Sequence, residues 1–292
     1  MPEFDPSSFQ GNQANPLQKY FRQPKVYVTL PSQGLYYPEG VLDYPENGEL
    51  PVFAMTAKDE LGMKTPDALL NGQATVDLIQ SCLPNIKDAW QMPSIDLDAV
   101  LIAIRIATYG EQLDITTKIP NIGDEKDYGV DLRTVLNKLV TVNFENTIFI
   151  NDMKVELRPL SYREFTNSSL KTFEEQRILR LVNDETIPEE EKLARFNQSF
   201  KKLTDLTVDM LANAVSSISV DGTTVIDRNH ITEFIVNSDK TFFDGVKNHF
   251  ETQKNKFEIE PMTVYTTEEE QERGAPASFE IPITFDQSNF FG

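Results

Sequence analysis

The amino-acid sequence predicts an α+β protein, mainly helical and built in two domains, with short β-hairpin fingers and an extended N-terminal arm. Three observations lead there. A helical segment at 95–109 is apolar on nearly every side, broken mainly by Arg105, so neighbouring elements must cover it. In the second half, long helical stripes alternate with short strand pairs bounded by turn residues. The 292 residues, 39% hydrophobic and 25% charged, have the composition of a folded chain and the length for two cores.

Taken in order, residues 1–24 hold Pro2, Pro6, Pro16 and Pro24 among Asn, Gln and Ser. Such a segment buries too little apolar area to order itself and reads as an extended arm. Phe4, Phe9, Tyr20 and Phe21 are spaced along it as anchors that an arm can lay on a partner. The first domain is expected over 25–158. Short strands are predicted at 26–30, 34–37 and 50–55, separated by Pro-Ser-Gln-Gly and Glu-Asn-Gly turns. Thr56 and Asp59 form a capping pair, Thr65-Pro66 a second helix start, and 74–83 a helix beyond Asn71-Gly72. Ser94 then caps the apolar helix, Asp96 and Asp98 occupy its first turn, and Gly110 ends it. Strands at 113–117 and 128–132 make a first finger over 111–132, followed by a helix at 132–140 and a strand at 147–150.

The second domain is expected over 159–292. Ser161 and Glu164 form a capping box for a helix reaching Leu181. Pro188 and Glu189–Glu191 open a longer helix, along which Leu193, Phe196, Phe200, Leu203, Leu206, Met210, Leu211 and Ala214 recur at helical spacing. Asp221-Gly222 between apolar runs marks a hairpin over 218–226. Helices near 229–236 and 240–253 precede a second finger over 257–285, with strands around 257–259 and 279–285. A helix followed by a two-stranded finger thus occurs twice.

A net charge of −19 repels phosphate backbones and anionic lipid, which argues against nucleic-acid and membrane-surface partners. The longest apolar run, Ala99–Ile104, is far short of the roughly 20 residues that span a bilayer. The first 20 residues show no apolar signal-peptide core, and a single cysteine leaves no intramolecular disulfide to form, so a reducing cytosol is expected. No glycine-rich phosphate loop and no calcium loop is present. Cys82, His230 and His249 together fall one ligand short of a closed zinc site, so no metal or cofactor is expected. Cys82 lies on the apolar side of its helix and reads as a buried structural residue, and His230 as a helix-start residue. Asp96 and Asp98 are the one candidate carboxylate pair for glycoside hydrolysis, although residues two apart on a helix do not face each other. Trp90 reads as a lid on the core, with an interface anchor as the alternative. Phe290 and Phe291, beside the last residue, read either as anchors for a neighbour's groove or as a terminus docked on its own domain.

Five blocks in order, PSQGLYYPEG (31–40), NGELPVFAMTAKDE (47–60), KTPDALLNG (64–72), SCLPNIKD (81–88) and DLDAVLIAIRIATYG (96–110), resemble the baseplate hub and hub-assembly proteins of T-even-like contractile-tailed bacteriophages. ISVDGTTV (218–225) and FEIPITFDQSNFFG (279–292) agree with that family's C-terminal region. The resemblance implies Cys-Pro-x-Cys-like knuckles in both fingers, making them zinc-ribbon-like. Here Ile119 and Ile122 stand where such cysteines would fall in the first finger, and the second finger has none, so packing must hold them. The implied function is non-enzymatic: tail baseplate hub assembly, as a hub component or a chaperone-like factor. The implied partners are other hub proteins and the tape-measure protein, within a symmetric assembly that allows an oligomer. The implied place is the host cytoplasm during assembly and, for a retained component, the virion tail baseplate. A hub-associated cell-wall-degrading enzyme using Asp96 and Asp98 is the alternative.

Overall fold

A computed structural model describes residues 17, 21–64, 72–181, 188–284 and 290–291 of the chain. The fold is α+β, with helices packed among small antiparallel sheets. Strand β1 (Pro24–Val28) pairs antiparallel with β2 (Leu50–Phe53). The segment predicted as a strand at 34–37 is instead part of a run of turns, because Gln33, Gly34 and Tyr36 all take positive φ. Gly34 is needed there: a Cβ would lie 2.9 Å from the Tyr44 ring.

Helix α1 (Ala57–Met63) starts at the expected capping box, with Thr56 and Asp59 bonding reciprocally. The second helix start at Thr65-Pro66 lies outside the described residues. Helix α2 (Gln73–Cys82) leads through 3-10 turns at Ala89–Gln91 and Ser94–Asp96 into α3 (Leu97–Tyr109). The apolar helix therefore begins two residues later than the 95–109 read from sequence. Eight of its 13 residues are buried, as a helix without a polar face requires. Strands β1 and β2, helix α2 and a later helix, α4 (Leu132–Val140), surround it.

From the C-terminal end of α3 projects the first finger, β3 (Gln112–Lys118) paired with β4 (Glu125–Asp131). Asp131 ends β4 and caps α4 by accepting from the Arg133 and Thr134 N–H groups. Next come β5 (Thr147–Ile150) and β6 (Met153–Leu157), then the long helices α5 (Tyr162–Leu181) and α6 (Glu189–Ala214). The chain returns as β7 (Val215–Val220) and β8 (Thr223–Val225), giving one antiparallel sheet in the order β5-β6-β7-β8. Its β7–β8 turn is the predicted Asp221-Gly222 pair, both at positive φ. Helices α7 (Arg228–Asn237) and α8 (Lys240–Asn255) follow. The second finger is β9 (Met262–Tyr265), a short helix α9 (Glu268–Glu272) and β10 (Ser278–Ile281). Its first strand lies several residues beyond the expected 257–259, where Phe257 is instead buried just after α8. Its last strand stops at Ile281, short of the predicted Phe285.

Two apolar cores result. One surrounds α3 and also takes Ile283, Phe290 and Phe291 from the far end of the chain. The other lies between the four-stranded sheet and α6–α8 and includes Ile150, Val155 and Leu157. Phe165 of α5 packs against both. The chain thus crosses between the cores in both directions, where the sequence reading places a single boundary near Arg158. Among the described residues no helix is long and apolar enough to cross a membrane.

Candidate partner-binding surface

The two fingers, far apart in sequence, lie against each other. Ile119 at the first finger's tip is 2% exposed, and Ala275 of the second finger is also buried. The Tyr128 ring meets Phe279 edge-on at 5.9 Å. Around this apolar contact, Arg273 donates to both oxygens of Asp124 at 2.6 and 3.1 Å, Lys126 donates to Glu270 at 2.9 Å, and the Asn121 amide donates to the Gly274 carbonyl at 3.2 Å. The hydrogen bond from Arg273 lowers the Asp124 pKa, and the one Lys126 donates to Glu270 raises the Lys126 pKa. These charges are solvent-screened, so the apolar contact carries most of the cohesion. Ile119, standing where the family resemblance implies a cysteine, is used for packing. Replacing Ile119 by Ala is expected to cost about 2–3 kcal/mol. The faster amide exchange this produces should appear in 112–131 and 262–281 together. Exchange confined to the first finger would show that the two do not act as one unit.

The anchors read from the sequence divide into three groups. Phe4, Phe9 and Tyr20 lie outside the described residues. Phe21 is 57% exposed, at the point where the arm meets β1. Trp90 is half-buried, stacked on Tyr162 at 5.4 Å and covered by the Arg163 guanidinium at 4.9 Å. Phe290 and Phe291 are buried in the core around α3, and Tyr109 donates its hydroxyl hydrogen to the Phe291 carbonyl at 2.8 Å. Of the two readings of this tail, the geometry matches docking on its own chain.

The chemistry candidates occupy structural positions. Asp96 is fully buried and accepts from the Ser32 N–H at 2.7 Å, the Ser32 hydroxyl at 2.6 Å and the Tyr37 hydroxyl at 2.9 Å. Burial pushes its pKa up to about 6, although these three hydrogen bonds pull it down. Asp98 is pushed up to about 6 by burial and by Glu258. A carboxyl with no exposed surface does not reach a glycan, so Asp96 and Asp98 are not an accessible pair. Cys82 is buried, its thiol pushed up to about 11 by desolvation. Among the described residues no three His, Cys, Asp or Glu side chains cluster to hold a metal.

Two apolar surfaces escaped the sequence reading. A cleft of about 420 Å3 is walled by Ile95, Phe144, Leu160, Phe165, Phe173 and Phe250, with room for an apolar side chain. On α6, Leu193, Phe196 and Phe200 of the stripe read at helical spacing are 61%, 45% and 60% exposed. On the neighbouring helix Glu175 is buried and meets Lys202 of α6, which donates to it at 2.9 Å.

A family model described as T4 bacteriophage base plate protein matches residues 52–273. That span takes in α3, most of the first core, the second core and the finger contact as far as Arg273. No curated protein and no solved structure matches the chain.

Proposed function

The chain belongs to the T4 bacteriophage base plate protein family, and from that premise we propose that it is a non-enzymatic morphogenesis protein of the tail baseplate hub. It works by protein–protein contact, as a built-in hub subunit or as a chaperone-like factor for other hub proteins and the tape-measure protein. The observation that carries this reading is the joined pair of fingers. Two hairpins some 150 residues apart in sequence are held as one projection from a buried helical spine, with Asn121, Asp124 and Arg273 at its exposed face. A rigid, mostly polar projection suits docking at a rim, where shape and charge fix the register of a neighbour. Phe4, Phe9, Tyr20 and Phe21 of the arm, together with Trp90, supply aromatic anchors for the same neighbours. The protein then acts in the host cytoplasm during assembly and, as a subunit, stays in the virion tail.

Mass spectrometry of purified virions and of tail-assembly intermediates tests this. Fixed stoichiometry in virions identifies a subunit, and presence in intermediates alone identifies a chaperone. Absence from both overturns the proposal. Peptidoglycan hydrolysis that disappears in Asp98→Ala, with folding intact, would overturn its non-enzymatic part.

A further inference from the structure

Where α5, α6 and α7 meet, a polar cavity of about 310 Å3 opens beside the second core. One side of α5 supplies Glu164, Asn167, Ser168 and Lys171, at spacings that share a helix face. Asp209 and Asn213 come from α6, one turn apart, and Arg228 from the first turn of α7. Arg228, Ser168 and Asn213 are part-buried and form the floor, while Asn167, Lys171 and Asp209 are exposed at the rim.

This cavity holds more donors than the chain itself satisfies. Among the described residues Arg228 has a single acceptor, the Asn213 carbonyl at 3.4 Å, so most of its guanidinium fork is open. Glu164, the nearby carboxylate, is taken by Arg158, whose terminal nitrogens donate to its two oxygens at 3.0 and 2.7 Å. Among the described residues neither Arg228 nor Lys171 has an ion-pair partner, and the side chains of Asn167, Ser168 and Asn213 make no hydrogen bond. Burial and the neighbouring Arg158 lower the Arg228 pKa, with Glu164 and Asp209 opposing them. A part-buried cation beside a second cation is costly, and an anion on the open fork offsets that cost. In a chain of net charge −19, Arg158, Arg228 and Lys171 here meet only Glu164 and Asp209.

We propose that this cavity binds an acidic side chain of a neighbouring protein, with its carboxylate on the Arg228 fork. The planar fork matches a carboxylate through parallel hydrogen bonds. Ser168 and the Asn213 amide add donors from the floor, and Lys171 draws the anion in from the rim. Asp209 selects the carrier. It repels a dianion such as phosphate, but accepts from the peptide N–H groups that flank an acidic residue. The proposal rests on the protein-contact reading of the function and names the chemistry of one such contact.

Chemical-shift titration of the full chain with blocked glutamate, carrying an N-acetyl and a C-terminal methylamide group, tests this. Blocked glutamine and inorganic phosphate are the comparisons. Saturable binding of blocked glutamate in the millimolar range is expected, with both comparisons at least about tenfold weaker. Arg228→Gln should weaken blocked glutamate by about tenfold and Lys171→Gln several-fold. Asp209→Asn should raise phosphate affinity. Lys171 is exposed, so its variant keeps the test decisive if Arg228→Gln does not fold. No saturable binding, equal binding of blocked glutamine, tighter binding of phosphate, or affinity unchanged in the Arg228 and Lys171 variants would each overturn the proposal. The titration uses the isolated chain, so its failure is distinct from absence of the protein from virions and intermediates.

Discussion

Asp96→Ala is expected to lower the unfolding free energy by about 3 kcal/mol near pH 5, where the folded protein holds this carboxyl mostly neutral. The alanine leaves the Ser32 N–H and the Ser32 and Tyr37 hydroxyls without their acceptor in a site closed to water. Asp96→Asn keeps an acceptor and the volume, and its cost should stay near about 1 kcal/mol. Denaturant unfolding of the three proteins measures both differences, and equal stability of Asp96→Ala and the parent would remove Asp96 as the tether between the 31–37 turns and the head of α3.

The same group has a pH signature opposite to that of most carboxylates. Its pKa is raised from 3.8 in the unfolded chain to about 6 in the folded one. Between those values the folded protein binds a proton that the unfolded chain has released, so this site's contribution falls as pH rises. The loss across that window is about 3 kcal/mol. Asp98 acts in the same direction. Burial raises the Glu164 pKa, but hydrogen bonds from Arg158 and Ser161 outweigh it and set the value below 4.5. Its contribution is therefore lost as pH falls. The informative quantity is thus the parent-minus-variant difference: in Asp96→Asn the decline between pH 4 and 6 should shrink by the share due to this site. An unchanged decline would refute the assignment.

Phe290→Ala is expected to destabilise the protein by about 3–5 kcal/mol, because its ring has no exposed surface and packs in the core around α3. The loss should be cooperative, lowering the thermal midpoint of the unfolding step that involves α3. Were the tail a free anchor for a neighbour, the substitution would leave stability unchanged and impair assembly alone. Thermal unfolding of the isolated variant distinguishes the two.

Much of the secondary structure is legible locally because the determining groups are near neighbours in sequence. The Thr56–Asp59 and Ser161–Glu164 capping boxes form as read, since each closes within one helical turn. The Asp221-Gly222 turn follows from the positive φ that those two residues accept. The strand expected at 34–37 failed for a tertiary reason. The short apolar run there wraps over the Asp96 carboxyl and the Tyr44 ring, and Tyr37 and Ser32 spend their polar groups on that carboxylate.

The candidate surfaces were less legible still. A helical stripe records which side chains share a face but carries no record of what that face meets. On α6 one stripe serves two environments: the Leu211 end lies in the second core, and the Phe196 end stands free because the seam beside it is filled by Glu175 and Lys202. Phe290 and Phe291 posed the same ambiguity, and only their placement against α3 resolved it.

By itself the sequence determined the fold class, the buried helix that organises the first core, the two helix–finger units, and the resemblance to phage baseplate proteins. Those properties rest on periodicity, caps, turns and ordered sequence blocks, all written along the chain. Tertiary structure alone decided that the fingers join, that strands from both sides of the long hairpin share one sheet, and that the tail is spent on the core while the α6 stripe is not. Each of those outcomes is a competition among distant apolar surfaces for burial, and its result depends on which surfaces the folded chain brings within reach.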